Sequence, residues 1–385
     1  MASYVLLLLL LSLLHVATAF DKAYRLYAQQ WNGSVSSELR SVQGGLGAFD
    51  HQKILPYPNS KSFDWWYFDA VSTSSDNESV VINFLEAGDY AVTPQISGSL
   101  IISIVGTFKN GTSYSSGGLA SYGANITTND KSIASQWKGP GMNMAFEGYL
   151  DPKDNKVSYN VTLDYSAAGI SGSLLLRARA PPRYPCDPNV LGVTEEVSPG
   201  LGWANAIPDA DATLDLTIGG EHVKFTGNGY HDKNWADRPF TELLDFWYWG
   251  RARVGPYSLV WFDLKVPDGG HHRSGYISKD GEDISISCTD TSATVIPWGT
   301  NSEYTPKPTT GPPEGITVSF DIGEKGTFVA NITTQLLLAD FHSYQRYIGP
   351  ATGGFENGEI FTGKALYEVM HLASSDVGLS SNYSY

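Results

Sequence analysis

Gly227-Asn228-Gly229-Tyr230-His231-Asp232-Lys233-Asn234-Trp235, followed after a short polar connection by Asp245-Phe246-Trp247-Tyr248-Trp249-Gly250, is the stretch around which this chain is organised. It brings together a histidine, an aspartate, a lysine, the neighbouring Arg251 and a run of large aromatic rings. No other window is as dense in groups that can build a site. The second half of the stretch also has a counterpart earlier in the chain. Asp64-Trp65-Trp66-Tyr67-Phe68 matches Asp245-Phe246-Trp247-Tyr248-Trp249 at an offset of 181, and each is followed by a second β-rich run, Val80 to Glu86 and Leu259 to Lys265. A second echo joins Phe225-Thr226-Gly227 and Tyr230-His231 to Phe361-Thr362-Gly363 and Tyr367-Glu368. Tandem duplication of one β-unit is the simplest source of such a pattern, with a boundary near residue 238.

Period-two runs make the strand signal general. Lys156 to Tyr165 puts Val157, Tyr159, Val161 and Leu163 on one face; Thr213 to Ile218 puts Leu214, Leu216 and Ile218 on one side and Thr213, Asp215 and Thr217 on the other. Forty glycines and twenty prolines punctuate these runs, and helical periodicity is scarce. The expected fold is all-β, with two tandem antiparallel β-barrel domains spanning 20–238 and 239–385. Pro181 to Pro208 reads as a long loop covering a barrel mouth, and Thr305 to Gly315 as a second.

Residues 4 to 14 are almost unbroken apolar sequence ending at Ala17-Thr18-Ala19, so residues 1–19 are expected to be a secretory signal peptide rather than a membrane span. Seven Asn-x-Ser/Thr triplets, at Asn32, Asn77, Asn110, Asn125, Asn160, Asn331 and Asn382, agree with a secreted glycoprotein. The two cysteines, Cys186 and Cys288, fall one in each proposed domain and could form an interdomain disulfide in an oxidising compartment. Two cysteines and no Cys/His cluster at ligand spacing leave no metal site to propose. With a net charge of -15 and a pI near 4.9, nucleic acid and anionic membranes are poor partners.

The site chemistry expected from the central stretch is acid–base chemistry and ligand positioning without a cofactor. His231 is the natural proton shuttle near neutral pH, with Asp232 or Asp263 to orient it or to act as an acid if buried. Lys233 and Arg251 can donate hydrogen bonds to a developing oxyanion, and Tyr230 adds a phenol. Trp66, Trp235, Trp247, Trp249 and Trp261 offer apolar walls for a hydrocarbon. Trp65 and Trp66 face opposite sides of a strand, so at most one lines a given pocket. A histidine–aspartate pair on a barrel strand is also a common structural hydrogen-bond network. No nucleophile elbow, Walker loop or dinucleotide glycine pattern occurs.

FDWWYFD (Phe63 to Asp69) and GNGYHDKNW (Gly227 to Trp235) resemble signatures of the superfamily of carotenoid 1,2-hydratases and fungal lipocalin-like Diels-Alderases. That resemblance implies two lipocalin-like barrels with a ligand between or inside them. Trp235 and Asp263 match the hydratase pattern; Lys233 and Trp261 depart from it. With a signal peptide and sequons, the chain looks most like the hetero-Diels-Alderases of tropolone sesquiterpenoid assembly. These dehydrate a hydroxymethyl tropolone to an o-quinone methide and add it across an alkene of humulene to give a dihydropyran. His231, Asp263, Lys233 or Tyr230 would then supply the acid and base. A decalin-forming intramolecular Diels-Alderase, or a secreted carrier of an apolar small molecule, are the alternatives.

Overall fold

The computed structural model describes residues 22–28, 36–41, 45–55, 59–74, 77–88, 100–307, 309–340 and 343–372. The expected signal peptide and the sequons at Asn32 and Asn382 lie outside these residues. Among the described residues the protein is nearly all strand, arranged in an antiparallel sheet of 13 strands and another of 10, with a two-stranded ribbon beside them. Both large sheets curl, giving the lipocalin-like all-β fold. The first sheet contains every strand from Lys22–Leu26 to Glu221–Ala236 except that ribbon, and the second contains those from Phe246–Val254 to Phe361–His371.

The period-two runs become strands with the expected faces. Lys156–Tyr165 is one strand, and Val157, Tyr159, Val161 and Leu163 are all buried on it. Leu214, Leu216 and Ile218 are likewise buried at the end of the 18-residue strand Leu201–Ile218. That strand overruns the expected Pro181 to Pro208 loop. Register shifts on either side of Ile207 let the ladder skip residues, which is how Pro208, lacking an N–H, is carried within a strand.

The two copies of the aromatic signature occupy equivalent places. Phe63–Ser72 lies between its successor Ser79–Ala87 and Glu221–Ala236, the last long strand of its sheet. Phe246–Val254 lies between Tyr257–Lys265 and Phe361–His371 in the same way. Even the register corresponds, since His231 sits opposite Phe68 and its echo Glu368 sits opposite Trp249. Gly227 and Gly229 permit this pairing at the curl. A Cβ on Gly227 would meet the Val71 carbonyl oxygen at 2.1 Å, and one on Gly229 would meet Leu176 at 2.4 Å.

Three apolar cores result. Trp66, Phe68, Phe84, Trp137, Phe146 and Tyr159 fill the first sheet, and Phe246, Tyr248, Trp261, Val318 and Phe328 fill the second. Tyr67, Trp203, Tyr230, Trp247, Trp249 and Phe262 form a third between the two sheets. The faces of the repeated motif are therefore exchanged: Trp66 and Phe68 point inward in the first copy, whereas their counterparts Trp247 and Trp249 point out of the second sheet toward the first.

One further segment closes the first sheet. The single helical turn Leu46–Asp50 and the residues after it to Ile54 are buried throughout, with Trp66 Nε1 donating to the Asp50 carbonyl at 2.8 Å. A turn this short does not hold by its own propensity; the barrel around it does. The chain thus plugs its own calyx, and the apolar region shared by both sheets is the third core.

Candidate functional site between the two sheets

Successive residues of Glu221–Ala236 point to opposite faces, so the central stretch is divided between two environments. His231, Lys233 and Trp235 enter the plugged first sheet. His231 Nδ1 donates to the Tyr67 carbonyl at 2.8 Å and Nε2 lies 2.9 Å from Asp50, while the ring stacks on Phe68 at 3.9 Å. Both ring nitrogens are thus engaged, one by a backbone carbonyl and the other by a carboxyl. Burial alone would push Asp50 up, but attraction to His231 holds it below its ordinary value. Lys233 pairs with Asp64 at 2.6 Å, donates to the His51 carbonyl at 2.7 Å and lies over the Trp66 ring. Burial drags this pair toward neutrality, with Asp64 rising to about 6 and Lys233 falling. Trp235 Nε1 donates to the Glu38 carbonyl at 2.6 Å.

Tyr230 and Asp232 face the other way, into the space between the sheets. Tyr230 OH and Trp203 Nε1 both donate to Asp232 Oδ2, each at 2.7 Å. No described group donates to Oδ1, so a proton on Asp232 belongs there. Burial, only partly opposed by those two hydrogen bonds, pushes Asp232 up to about 7. The carboxyl is 3% exposed and within the field of Glu368, which burial also raises. It can therefore deliver a proton at neutral pH, which an ordinary aspartate cannot.

The walls around Asp232 come from both sheets. Tyr67, Tyr230 and Trp249 meet edge to face at centroid separations of 5.2 to 6.1 Å. Phe262 is contacted by Trp203 and Trp247. Trp247 and Trp249 are each 3% exposed, and their indole N–H groups have no partner among the described residues. Arg251 crosses the junction to form an ion pair with Asp69, and Arg346 holds Glu368 at 2.8 Å.

The residues nominated from the sequence are thus distributed over three places. Tyr230, Trp247, Trp249 and Arg251 meet in the junction, while His231, Lys233, Trp66 and Trp235 are inside the first sheet. Trp261 is in the core of the second sheet. Asp263 is on that side too, bound to His271, to Tyr304 at 3.1 Å and to the Val295 N–H at 3.1 Å. Asp263 is not gathered with His231, and it is Asp50 that orients His231. Of the junction residues, Trp203, Tyr67, Asp69, Arg346 and Glu368 were not nominated. Alternation along Phe63–Ser72 puts Tyr67 and Asp69 on the face opposite Trp66 and Phe68; Trp203, Arg346 and Glu368 carry no such signal. Cys186 and Cys288 are bonded, with Cα atoms 5.1 Å apart, joining the Pro181 region to the second sheet.

Fold and site together define a lipocalin-like all-β protein with a buried carboxyl, raised by burial, and aromatic walls between two curled sheets. The chain belongs to the Diels-Alderase-like family, whose model matches residues 44–298. It is 37% identical over 337 residues to the quinolone epoxide rearrangement protein asqO of Emericella nidulans, covering 87% of this chain and 90% of that protein. It is 27% identical over 241 residues to the Diels-Alderase cheD of Chaetomium globosum, covering 62% of this chain and 54% of that one. Among solved structures it is similar to CghA with Sch210972, at a TM-score of 0.72 and 17% identity over 92% of this chain and 99% of that chain. These similarities support an enzyme acting on a small molecule.

Proposed function

We propose that this protein is a cofactor-independent enzyme that ionises a C–O bond of a largely apolar small molecule and then guides the ring-forming or rearrangement step that follows. The observation that carries this reading is Asp232, a buried carboxyl that takes Trp203 and Tyr230 on one oxygen and has no described donor on the other, beside aromatic walls. The Asp232 carboxyl passes its proton to the departing oxygen, the C–O bonding pair goes to that oxygen, and an electron-deficient carbon remains. A later proton loss from the organic fragment restores the acid. Similarity to asqO over most of both chains favours an epoxide as the substrate. Trp203, Trp247, Trp249 and Phe262 then limit which neighbouring group reaches the cationic carbon.

The hetero-Diels–Alder reading uses the same first step. Protonation of the hydroxyl of a hydroxymethyl tropolone releases water, loss of the ring-oxygen proton gives the o-quinone methide, and humulene adds across it. The Diels-Alderase-like family membership and the similarity to cheD favour it. Holding both reactants can lower the barrier by about 7 to 11 kcal/mol in well-oriented cases. Incubation with a quinolone epoxide, and separately with hydroxymethyl tropolone and humulene, followed by chiral chromatography, separates the readings. Products at the uncatalysed rate and stereochemistry with both substrates leave only a carrier.

Two domains divided near residue 238, and passage through the secretory pathway, complete the proposal. In support, the first sheet ends at Ala236 and the second begins at Phe246. Asn110, Asn125, Asn160 and Asn331 are exposed and Asn77 is half-buried. A mobility shift of the secreted protein on glycosidase treatment is expected; no shift refutes the glycoprotein assignment.

A further inference from the structure

Arg183 is fully buried, and among the described residues no carboxylate is bonded to it. It sits on the segment that leads to Cys186, where its backbone pairs with Asn205. Its guanidinium is held between the Trp203 ring of the first sheet and the Tyr276 ring of the second, with the central carbon 4.7 Å from each centroid. Nη1 makes only long bonds to the carbonyls of Tyr184 and Pro185, at 3.3 and 3.5 Å. Nε and Nη2 have no partner among the described residues. The nearby acids are occupied elsewhere, Asp232 by Trp203 and Tyr230, and Asp283 by Tyr276.

A buried guanidinium normally recovers its lost hydration through a paired carboxylate, and leaving charged N–H groups unmade is among the costliest defects in a fold. Two ring faces return part of that cost through cation–π attraction but do nothing for the N–H edges. A purely structural staple would have been served by an apolar side chain. The unmade donors form a planar fork, the shape that meets an oxyanion or a polarised carbonyl in two parallel bonds. Trp203 links this fork to the acid: one indole lays its face on Arg183 and gives its N–H to Asp232.

The geometry points to Arg183 as a substrate-binding residue of the junction, receiving on Nε and Nη2 a carbonyl or enolate oxygen of a planar, conjugated ring system whose C–O leaving group faces Asp232. This rests on the junction being the substrate site and adds to it the class of head group that is recognised. Quinolones and tropolones both carry such an oxygen, whereas a pure hydrocarbon does not.

Equilibrium binding tests it independently of turnover. The full-length protein is titrated with 4-hydroxyquinolin-2-one and with naphthalene, a planar bicycle lacking the oxygen, following tryptophan fluorescence. Arg183→Met is expected to weaken the quinolinone roughly 10- to 100-fold, as for loss of hydrogen bonds to a charged group, with naphthalene unchanged and the melting temperature of the unliganded protein not lowered. Arg183→Lys, which keeps the charge but not the fork, is expected to fall between. Equal weakening of both probes or a lowered melting temperature for Arg183→Met, unaltered quinolinone affinity in both variants, or no binding to the parent protein, would each overturn the assignment. Failure here with intact catalysis by Asp232 leaves the acid role standing; loss of catalytic function with the Arg183 effect intact does the reverse.

Discussion

Replacing Asp232 with asparagine changes one atom and separates the acid from its packing. Asparagine can still accept the Trp203 and Tyr230 donors on its oxygen, so the aromatic walls stay in place. What disappears is a proton on a group raised from 3.8 to about 7. Loss of a general acid should lower kcat/KM by roughly 10² to 10⁴, and in the parent protein activity should fall as pH rises above 7. Stability supplies a second readout that needs no substrate. Because the folded value exceeds the unfolded one, folding is favoured by this group most fully below the unfolded value, and the benefit disappears as pH rises through 7. Three units at 1.36 kcal/mol each give a ceiling of about 4 kcal/mol, of which about 2 to 3 kcal/mol should be lost between pH 5 and 8. Asp64 and Glu86, also raised by burial, are common to both proteins and cancel in the difference. Urea unfolding of parent and Asp232→Asn across that range measures it. A stability difference independent of pH, or full activity in the variant, would remove Asp232 as the acid.

Other expectations concern the groups that hold the site. Lys233→Met strands Asp64 in the first core and should cost about 3 to 5 kcal/mol in urea unfolding, with most of it recovered in Lys233→Met/Asp64→Leu; no recovery in the double variant contradicts the pairing. Trp235→Ala should lower stability by about 3 to 5 kcal/mol and leave the product pattern of the folded fraction intact. Trp249→Phe, in the junction, should shift that pattern at a smaller cost in stability, and chiral product analysis distinguishes the two. Removing both cysteines opens a 102-residue span and should destabilise by at most about 4.7 kcal/mol; an unchanged unfolding midpoint in Cys186→Ala/Cys288→Ala speaks against a stabilising role for the bond.

Sequence alone determined that the chain is built from strands, because alternation in runs such as Lys156–Tyr165 fits an extended chain with one buried face and not a helix. It also determined that the aromatic signature is doubled, and that chemistry concentrates around Gly227–Trp235. Alternation tells which residues share a face and is silent on which face closes into a barrel. That depends on what fills the interior, and here the filling is Leu46 to Ile54, a stretch too short to announce itself by periodicity. Once it occupies the first calyx, His231 pairs with Asp50, 181 positions away, while Asp232, its immediate neighbour, is turned to the opposite face, where it meets Trp203 and Tyr230. In the second copy the equivalent face points outward, so Trp247 and Trp249 line the junction while their counterparts Trp66 and Phe68 are core. The upward shift of Asp232 and the burial of Arg183 are likewise tertiary in origin, since both groups are covered by residues of two sheets that only the folded chain brings together.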